Sequence, residues 1–212
     1  MISLIVIILF SYLVGSIPTS IIFSKVFRGI DIREHGSGNA GGTNAMRVLG
    51  WKLGLSVMLI DVLKGVVATL FVSQIRIDPI SWQPEVVQII AGLSAIFGHI
   101  WTLFAGFRGG KGVGTGAGMI VALYPVAALI CLGIFFIVIL IGRMVSVGSM
   151  IAALCLPIVL SIMSAYFDVA VSPVLLYFSI FIAVLIVFTH RSNIKRIVKG
   201  EENKISFKKK DK

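Results

Sequence analysis

The 212-residue chain is 58% hydrophobic but only 13% charged, and it carries a formal net charge of +10 at neutral pH. Soluble domains have about a quarter of their residues charged, so this composition excludes an ordinary soluble domain and indicates an integral membrane protein. The two cysteines, Cys131 and Cys155, lie in apolar stretches, and neither a disulfide nor a metal site is predicted from them.

Several stretches of the chain are apolar enough to be membrane helices, for which about 20 residues are needed. The first, residues 1–24, has no positively charged start and no small-residue cleavage site, so we interpret it as a retained span rather than a signal peptide. The further stretches are residues 53–72, 86–104, 151–166 and 173–188. Together they predict an all-α integral membrane protein, with a single membrane-embedded domain over residues 1–212.

Residues 113–141 are too long for one straight span and too short for two. Because proline removes a backbone hydrogen bond, we predict a pair of short helices broken near Pro125. The fold then has about seven transmembrane or partly spanning helices, and five full spans with the same cytoplasmic faces is the alternative. Short helices that end inside a membrane need protein or a wet cavity at their ends, which indicates a site.

Positive charge is concentrated in residues 25–52 and 191–212, whereas the loop around Asp78 carries little. Cationic loops stay on the cytoplasmic side of a membrane. We therefore predict an N-terminus outside the cell, a C-terminus in the cytoplasm and a basic cytoplasmic tail at residues 197–212. Basic clusters of this kind next to a membrane contact anionic lipid, and no nucleic-acid partner is expected.

The first polar segment, residues 31–47, reads DIREHGSGNAGGTNAMR and matches G-x-G-x-x-G literally. No βαβ unit fits between membrane helices, so a dinucleotide site is not predicted. Small hydrogen-bonding residues next to a cation can instead direct many donors toward one anion. The residues predicted to bind an anion here are Ser37, Asn39, Thr43, Asn44 and Arg47. A flexible connecting loop is the alternative.

The second polar segment, residues 107–118, reads FRGGKGVGTGAG. It departs from the nucleotide-binding loop because Gly112 follows Lys111 where a metal-binding hydroxyl is required, so no Mg-nucleotide is predicted. The glycines, the lysine charge and the N-terminus of the next helix still favour phosphate. The predicted phosphate-binding residues are Gly109, Gly110, Lys111, Gly112 and Thr115. Close helix packing by small residues is the alternative.

Isolated polar residues lie in or beside the other apolar segments. Asp61 and Lys64 are at i and i+3, so they can pair on one helix face, and such a pair is either structural or catalytic. His99 either binds a ligand or bonds to a neighbouring helix. Ser146 contributes only if its loop faces the same cavity as the other polar residues.

The last apolar segment ends in FTHRSNIKR, residues 188–196. His190 and Asn193 are three residues apart, so a helix presents both to one ligand. A basic helix end at the membrane surface is the alternative. The sequence contains no His-x-x-x-x-Asp pair, no clustered Asp residues and no G-x-S-x-G elbow. What remains is chemistry based on anion binding and positioning, aided by one histidine.

Three motifs of the chain resemble those of the bacterial membrane acyltransferases that transfer a fatty acyl group from acyl phosphate to the 1-hydroxyl of glycerol 3-phosphate. They are SGNAGGTNAMR at residues 37–47, GHIWTLFAGFRGGKGVGTG at 98–116 and THRSNIKR at 189–196. GSIPTS, DVLKG and RMVSVGS also look like the family, so the resemblance covers nearly the whole chain. The family usually has Ala in place of Gly42 and Gly114, often has Lys in place of Arg108, and often has Pro near Thr102.

The resemblance implies a multi-pass protein of the bacterial inner membrane, with its active site on the cytoplasmic side, no cofactor, no metal and no use of acyl-CoA. The expected substrates are acyl phosphate and glycerol 3-phosphate, and the expected products are lysophosphatidic acid and phosphate, in an early step of phospholipid synthesis. His190, Lys111 and Asn193 are expected to be catalytic, and His99 and Ser146 join the substrate-binding residues named above. Two points stay open: which pocket takes which phosphate, and whether His190 or a substrate phosphate accepts the hydroxyl proton.

A transporter or channel for a phosphate-bearing anion is the alternative function, because transporters also use broken helices and helix N-termini. No internal inverted repeat is visible in the sequence, and the polar motifs gather at one face of the membrane. Both observations favour the enzyme.

Overall fold

The computed structural model describes residues 1–167 and 169–205, and within these residues every regular element is a helix, as the sequence predicts. Part of the predicted basic tail, residues 206–212, lies outside the described residues. The α-helices are α1 (Ile2–Ser16), α2 (Thr19–Arg28), α3 (Gly42–Leu49), α4 (Trp51–Leu70), α5 (Pro84–Ile100), α6 (Val113–Leu123), α7 (Pro125–Gly142), α8 (Val145–Tyr166), α9 (Pro173–Thr189) and α10 (Arg191–Val198).

Five stretches of the described residues are long and apolar enough to cross a membrane: Ile2–Arg28, Trp51–Gln74, Pro84–Ala105, Pro125–Gly142 and Val145–Tyr166. The pair α9 and α10, bent by 57°, is a sixth candidate. Helix α6 has 11 residues, which at 1.5 Å per residue is roughly 17 Å, too short to cross alone. With α6 these stretches make up the seven predicted helical segments, while the orientation of the termini stays a prediction.

The break near Pro125 is where the sequence places it. Helix α6 ends at Leu123 and α7 begins at Pro125. The predicted pair of helices is confirmed, and α7 ends at Gly142, one residue beyond the predicted end at 141. With 18 apolar residues, α7 is long enough to cross a membrane and is not a short helix like α6. Only Ala127 and Ile139 of α7 are buried, so most of its surface is apolar and suited to contact with lipid.

The chain divides into two compact units, Met1–Pro125 and Val126–Lys212, the second described as far as residue 205. In the first unit α1 packs on α5 and α4 packs on α6. Glycines bring these backbones together: a β-carbon on Gly98 would overlap the carbonyl oxygen of Tyr12, and one on Gly65 would overlap that of Thr115. This is the small-residue packing typical of membrane helices.

In the second unit α8 packs on α9, and α10 turns away from α9 at His190. After α10 the chain runs back as residues 201–205, which we call the return segment. It is fixed at both ends, because the Glu201 N–H donates to the Arg196 carbonyl at 2.8 Å and the Ile205 N–H donates to the Arg143 carbonyl at 2.8 Å. The return segment therefore links α10 to the turn between α7 and α8.

Candidate active site

The glycine loop, residues 106–112, is held against the end of α5. The N–H groups of Gly109 and Gly110 donate to the carbonyl oxygens of Ile100 and His99 at 3.1 and 3.0 Å. A β-carbon on Gly110 would overlap Nε2 of His99, so only glycine fits against the imidazole ring. Because their N–H groups are already bonded within the protein, Gly109 and Gly110 serve close packing rather than acting as the backbone phosphate donors that the sequence analysis expected.

Lys111 and the N-terminus of α6 follow this packed turn directly. Gly112 has a φ of +83° and Val113 begins the helix. The first turn of a helix has N–H groups without an intrahelical acceptor and a partial positive charge, which add to the ammonium of Lys111. Thr115, one turn into α6, is fully buried against α4. Its predicted role as a substrate ligand is therefore not supported by its position.

A buried charged cluster lies beneath the glycine loop. Lys64 Nζ donates to Asp61 Oδ1 at 2.7 Å and to the carbonyl oxygen of Ile17 at 2.5 Å. The side chains of Asp61 and Lys64 are 5% and 4% exposed. His99 Nδ1 is 3.7 Å from Asp61 Oδ1, which is too long for a hydrogen bond but close enough for an electrostatic contact. A small cavity is lined by these three residues and Gly110. The structure thus connects His99 with the glycine loop and with Asp61.

The first polar segment is a braced loop that leads into α3, rather than a flexible connection. The side chain of Asn44, 1% exposed, accepts a hydrogen bond from the Ser37 N–H at 2.8 Å. Its amide donates to the carbonyl oxygens of Ile32 at 3.2 Å and His35 at 2.9 Å. Both N–H bonds of this amide are therefore used inside the protein, and Asn44 shapes the loop rather than acting as a direct donor to an anion.

The other predicted residues of this segment are more accessible: Ser37, Asn39 and Thr43 are half-buried and Arg47 is exposed. The segment adjoins the glycine loop, because a β-carbon on Gly110 would lie 3.0 Å from the carbonyl oxygen of Ala40.

A second link runs through Arg33, from the first polar segment to the residue just before the glycine loop. Its Nη1 donates to the carbonyl oxygen of Ala105 at 2.9 Å, while its Nη2 pairs with Asp31 Oδ2 at 2.6 Å. The side-chain hydrogen bonds from Arg33 lower the pKa of Asp31 to about 2.

His190 occupies the bend between α9 and α10 and is 3% exposed. Its Nδ1 lies 2.7 Å from the carbonyl oxygen of Ile186. A carbonyl can only accept, so Nδ1 carries a proton in this bond and Nε2 is the ring nitrogen on the other side of the imidazole. The Ile194 N–H donates to the His190 carbonyl oxygen at 2.9 Å, so His190 is also the N-cap residue of α10.

Asn193 and Ser146 meet at one carboxylate. Asn193 Nδ2 and Ser146 Oγ donate to Glu202 Oε1 at 2.6 and 2.7 Å, and Arg196 Nε donates to Oε2 at 2.8 Å. Burial opposes ionisation of Glu202, but these three hydrogen bonds outweigh it and lower its pKa. Glu202 was not among the predicted site residues, and the sequence distinguishes it from its neighbour Glu201 by no local signal.

The predicted site residues thus fall into two groups. Within residues 1–125 the structure joins His99, the glycine loop and the first polar segment. In the second unit it joins Ser146 with Asn193, one helical turn from His190. Among the described residues, no three His, Cys, Asp or Glu side chains are grouped as metal ligands would be.

Comparison with known families and proteins gives consistent results. The family model described as glycerol-3-phosphate acyltransferase matches residues 5–200. A glycerol-3-phosphate acyltransferase of Chlorobaculum tepidum is 46% identical, with 100% of both chains covered. One of Chlorobium chlorochromatii is 45% identical, with 98% of this chain and 99% of that protein covered.

Two crystal structures of PlsY (YgiH), an integral membrane glycerol 3-phosphate acyltransferase, are similar in fold. Each is 35% identical in sequence and covers 96% of both chains. The glycerol 3-phosphate form superposes with a TM-score of 0.84 and the lysophosphatidic acid form with 0.81.

Proposed function

The chain belongs to the glycerol-3-phosphate acyltransferase family, and from that premise we propose that its acyl donor is an acyl phosphate and that the polar groups described above bind the substrates. The protein is an integral membrane enzyme that acylates glycerol 3-phosphate to lysophosphatidic acid. The family assignment removes the alternative of an anion transporter.

One observation carries the proposal: Lys111 stands immediately before the N-terminus of α6, in a loop packed onto His99. An ammonium and a helix N-terminus at one point favour a phosphate dianion. Lys111 therefore holds a substrate phosphate and balances the charge that grows on the leaving phosphate. The glycines permit the close packing that keeps the lysine at this place.

Further phosphate contacts come from the first polar segment, which adjoins the glycine loop. Arg47 is the exposed cation of this segment, and Ser37, Asn39 and Thr43 supply accessible donors. Asn44 positions them by fixing the loop backbone. His99, beneath the loop, orients Gly110 and the start of the Lys111 segment rather than carrying the reaction.

The reaction needs no enzyme nucleophile. The 1-hydroxyl oxygen of glycerol 3-phosphate attacks the acyl carbonyl carbon, an ester C–O bond forms, and the bond between that carbon and the phosphate oxygen breaks. The hydroxyl proton passes to Nε2 of His190, whose tautomer is set by the Nδ1 bond to Ile186. Asn193, one turn away in α10, helps to position the acceptor substrate beside His190. Orienting two bound reactants can lower the activation free energy by about 7–11 kcal/mol.

The donor is tested by offering the purified enzyme glycerol 3-phosphate with either a long-chain acyl phosphate or the matching acyl-CoA. We expect lysophosphatidic acid from the acyl phosphate and none from the acyl-CoA, because Lys111 and α6 present a phosphate site without a nucleotide-binding loop. Equal product from both donors, or product from acyl-CoA alone, would contradict the proposal.

We also propose that the active site faces the cytoplasm at the bacterial inner membrane, because the basic segments flank the site motifs. Single cysteines at exposed positions 52 and 77 can be compared in a chain whose two native cysteines are replaced by serine. A membrane-impermeant maleimide should label position 77, but not position 52, in cells with a permeabilised outer membrane. The reverse pattern would overturn the orientation.

A further inference from the structure

Glu202 receives three side-chain hydrogen bonds of 2.6–2.8 Å, and its own side chain is only 5% exposed. Two of the donors, Asn193 and Ser146, are residues that the motifs assign to the reaction. Both carboxylate oxygens are used, Oε1 by the amide and the hydroxyl and Oε2 by Arg196. Burying a carboxylate is costly unless it is paired and fully bonded, and here it is both.

The backbone delivers this carboxylate to a fixed place. The return segment is bonded to α10 at Glu201 and to the turn before α8 at Ile205. Glu202 lies between these two anchors, and its donors come from α10 and from the start of α8. One side chain thus joins two helix ends that are 47 to 50 residues apart in sequence, as the numbers of Ser146, Asn193 and Arg196 show.

The charge of Glu202 decides whether its three donors bind a substrate phosphate or only this internal carboxylate. The bonds from its donors keep the pKa of Glu202 low, so the group is an anion at neutral pH. A phosphate dianion in contact with the same donors would be repelled by this carboxylate and would compete with it for hydrogens. Ser146 and the Nδ2 group of Asn193 are therefore bonded to an internal anion rather than to a substrate phosphate.

We propose that Glu202 is a positioning residue of the acyl transfer: it holds the Asn193 side chain and the first turn of α10, and through that turn it fixes the orientation of His190. This inference rests on the proposed function, since it assigns a role in that reaction. The positioning role is supported by the three donor distances, the burial of the carboxylate and the two backbone hydrogen bonds that anchor the return segment.

Glu202→Gln removes the charge at nearly constant volume, and its amide would place a donor opposite a donor at Arg196. We expect kcat to fall by about tenfold, which is about 1.4 kcal/mol in activation free energy, while KM for glycerol 3-phosphate changes little. Glu202→Asp keeps the charge on a shorter side chain, so its kcat should lie between those of the wild-type chain and Glu202→Gln. Glu201→Gln makes the same chemical change at an exposed neighbour and should behave like the wild-type chain.

A double-mutant cycle with Asn193→Ala separates positioning from general stabilisation. If Glu202 acts through Asn193, Glu202→Gln adds little to the loss already caused by Asn193→Ala, whereas independent effects multiply. The positioning role would be overturned if the losses in kcat of the two single variants multiply in the double variant. It would also be overturned if kcat is unchanged or raised in Glu202→Gln. A raised kcat would mean that the carboxylate is an occupant which substrate must displace.

Two controls keep these outcomes distinct. If Glu202→Gln does not fold, Glu202→Asp carries the test, and a kcat equal to that of the wild-type chain overturns the proposal. If the wild-type protein forms lysophosphatidic acid and Glu202→Gln has the same kcat, this inference alone is overturned. Wild-type protein that forms no product from acyl phosphate overturns the proposed function and this role with it.

Discussion

The two units of the chain hold their polar groups in different ways. In residues 1–125 the groups are fixed by helices that pack closely at glycines, above a buried Lys64–Asp61 pair that is bonded within the same unit. In the second unit Ser146 and Asn193 are fixed by one carboxylate on the return segment. Gly133 and Gly142 there have open space around them, whereas a β-carbon on Gly148 would lie 3.1 Å from the Phe135 carbonyl oxygen. Packing supports the first set of groups, and a single charged side chain supports the second.

This difference predicts which substitutions each unit tolerates. Close backbone packing leaves no room for added atoms, so the first unit should be sensitive to small increases in volume. A charge-held cluster should instead be sensitive to loss of that charge and tolerant of methyl groups added at open positions such as Gly133. Proposed chemistry divides in the same way, with phosphate binding at Lys111 and proton transfer at His190.

The largest expected effects are on the reaction. Lys111→Ala removes the charge at the α6 N-terminus, and we expect kcat/KM to fall by about 10²–10³-fold with a raised KM for one substrate. His190→Ala removes the proposed proton acceptor, and we expect kcat to fall by about 10²–10⁴-fold with little change in KM. Steady-state kinetics on both variants measure this division of roles.

Lys25→Ala is the matched control for Lys111, because it removes an exposed cation from the same unit. It should leave kcat/KM near that of the wild-type chain. If Lys25→Ala and Lys111→Ala lose equal amounts of kcat/KM, then general positive charge, rather than a specific site, attracts the substrates. A near-normal kcat in His190→Ala would remove its assigned role.

The next effect concerns the buried pair of the first unit. Asp61→Asn leaves the Lys64 charge buried without its carboxylate, and we expect the free energy of unfolding to fall by ~3–5 kcal/mol. The double variant Asp61→Asn, Lys64→Met removes both charges and should recover much of this loss. Thermal unfolding in detergent compares the two. A double variant as unstable as the single one would show that charge pairing does not explain the effect.

A smaller effect tests packing directly. Gly65→Ala places a methyl group on the carbonyl oxygen of Thr115, and we expect a loss of ~1–3 kcal/mol in the free energy of unfolding. Gly133→Ala in α7 meets no atom within 4 Å and should be neutral or slightly stabilising, because alanine favours helix over glycine. Equal unfolding temperatures for these two variants would remove the contrast between the units.

The smallest effect is a pH dependence in the first polar segment. Because the folded-state pKa of Asp31 is lowered to about 2, the stability from its pair with Arg33 is present above the ordinary pKa of 3.8 and is lost as pH falls toward 2. The pair is partly exposed, so we expect under about 1 kcal/mol. Asp31→Asn should therefore be less stable than the wild-type chain at pH 6, and this difference should shrink by pH 3. A constant difference would contradict the assignment.

Much of the fold follows from sequence patterns that act locally. Apolar length predicts the helices, and the missing N–H of Pro125 predicts the break between α6 and α7. The end of α7 at Gly142 is likewise within one residue of the predicted end at 141, because the apolar run stops just before Arg143.

The site is harder to predict, because its contacts are distant in sequence or use backbone atoms. The motifs identify Lys111, His190 and Asn193 as candidates, but they do not show that Gly109 and Gly110 are bonded to the end of α5 or that Thr115 is buried. The Glu202–Ser146 bond spans 56 residues, and no local pattern encodes it. Asn44 likewise looks like an anion ligand in the sequence, whereas in the structure its amide donates hydrogen bonds to backbone carbonyl oxygens.

The central claim is direct transfer: the glycerol 3-phosphate hydroxyl attacks the acyl phosphate while both are bound, with no acyl-enzyme. It is tested by measuring phosphate release from acyl phosphate with and without glycerol 3-phosphate, at protein concentrations high enough to detect one turnover. We predict one phosphate per lysophosphatidic acid when glycerol 3-phosphate is present, and no release above the hydrolysis background when it is absent. A burst of one phosphate per protein molecule without glycerol 3-phosphate would reveal a covalent intermediate and contradict the account.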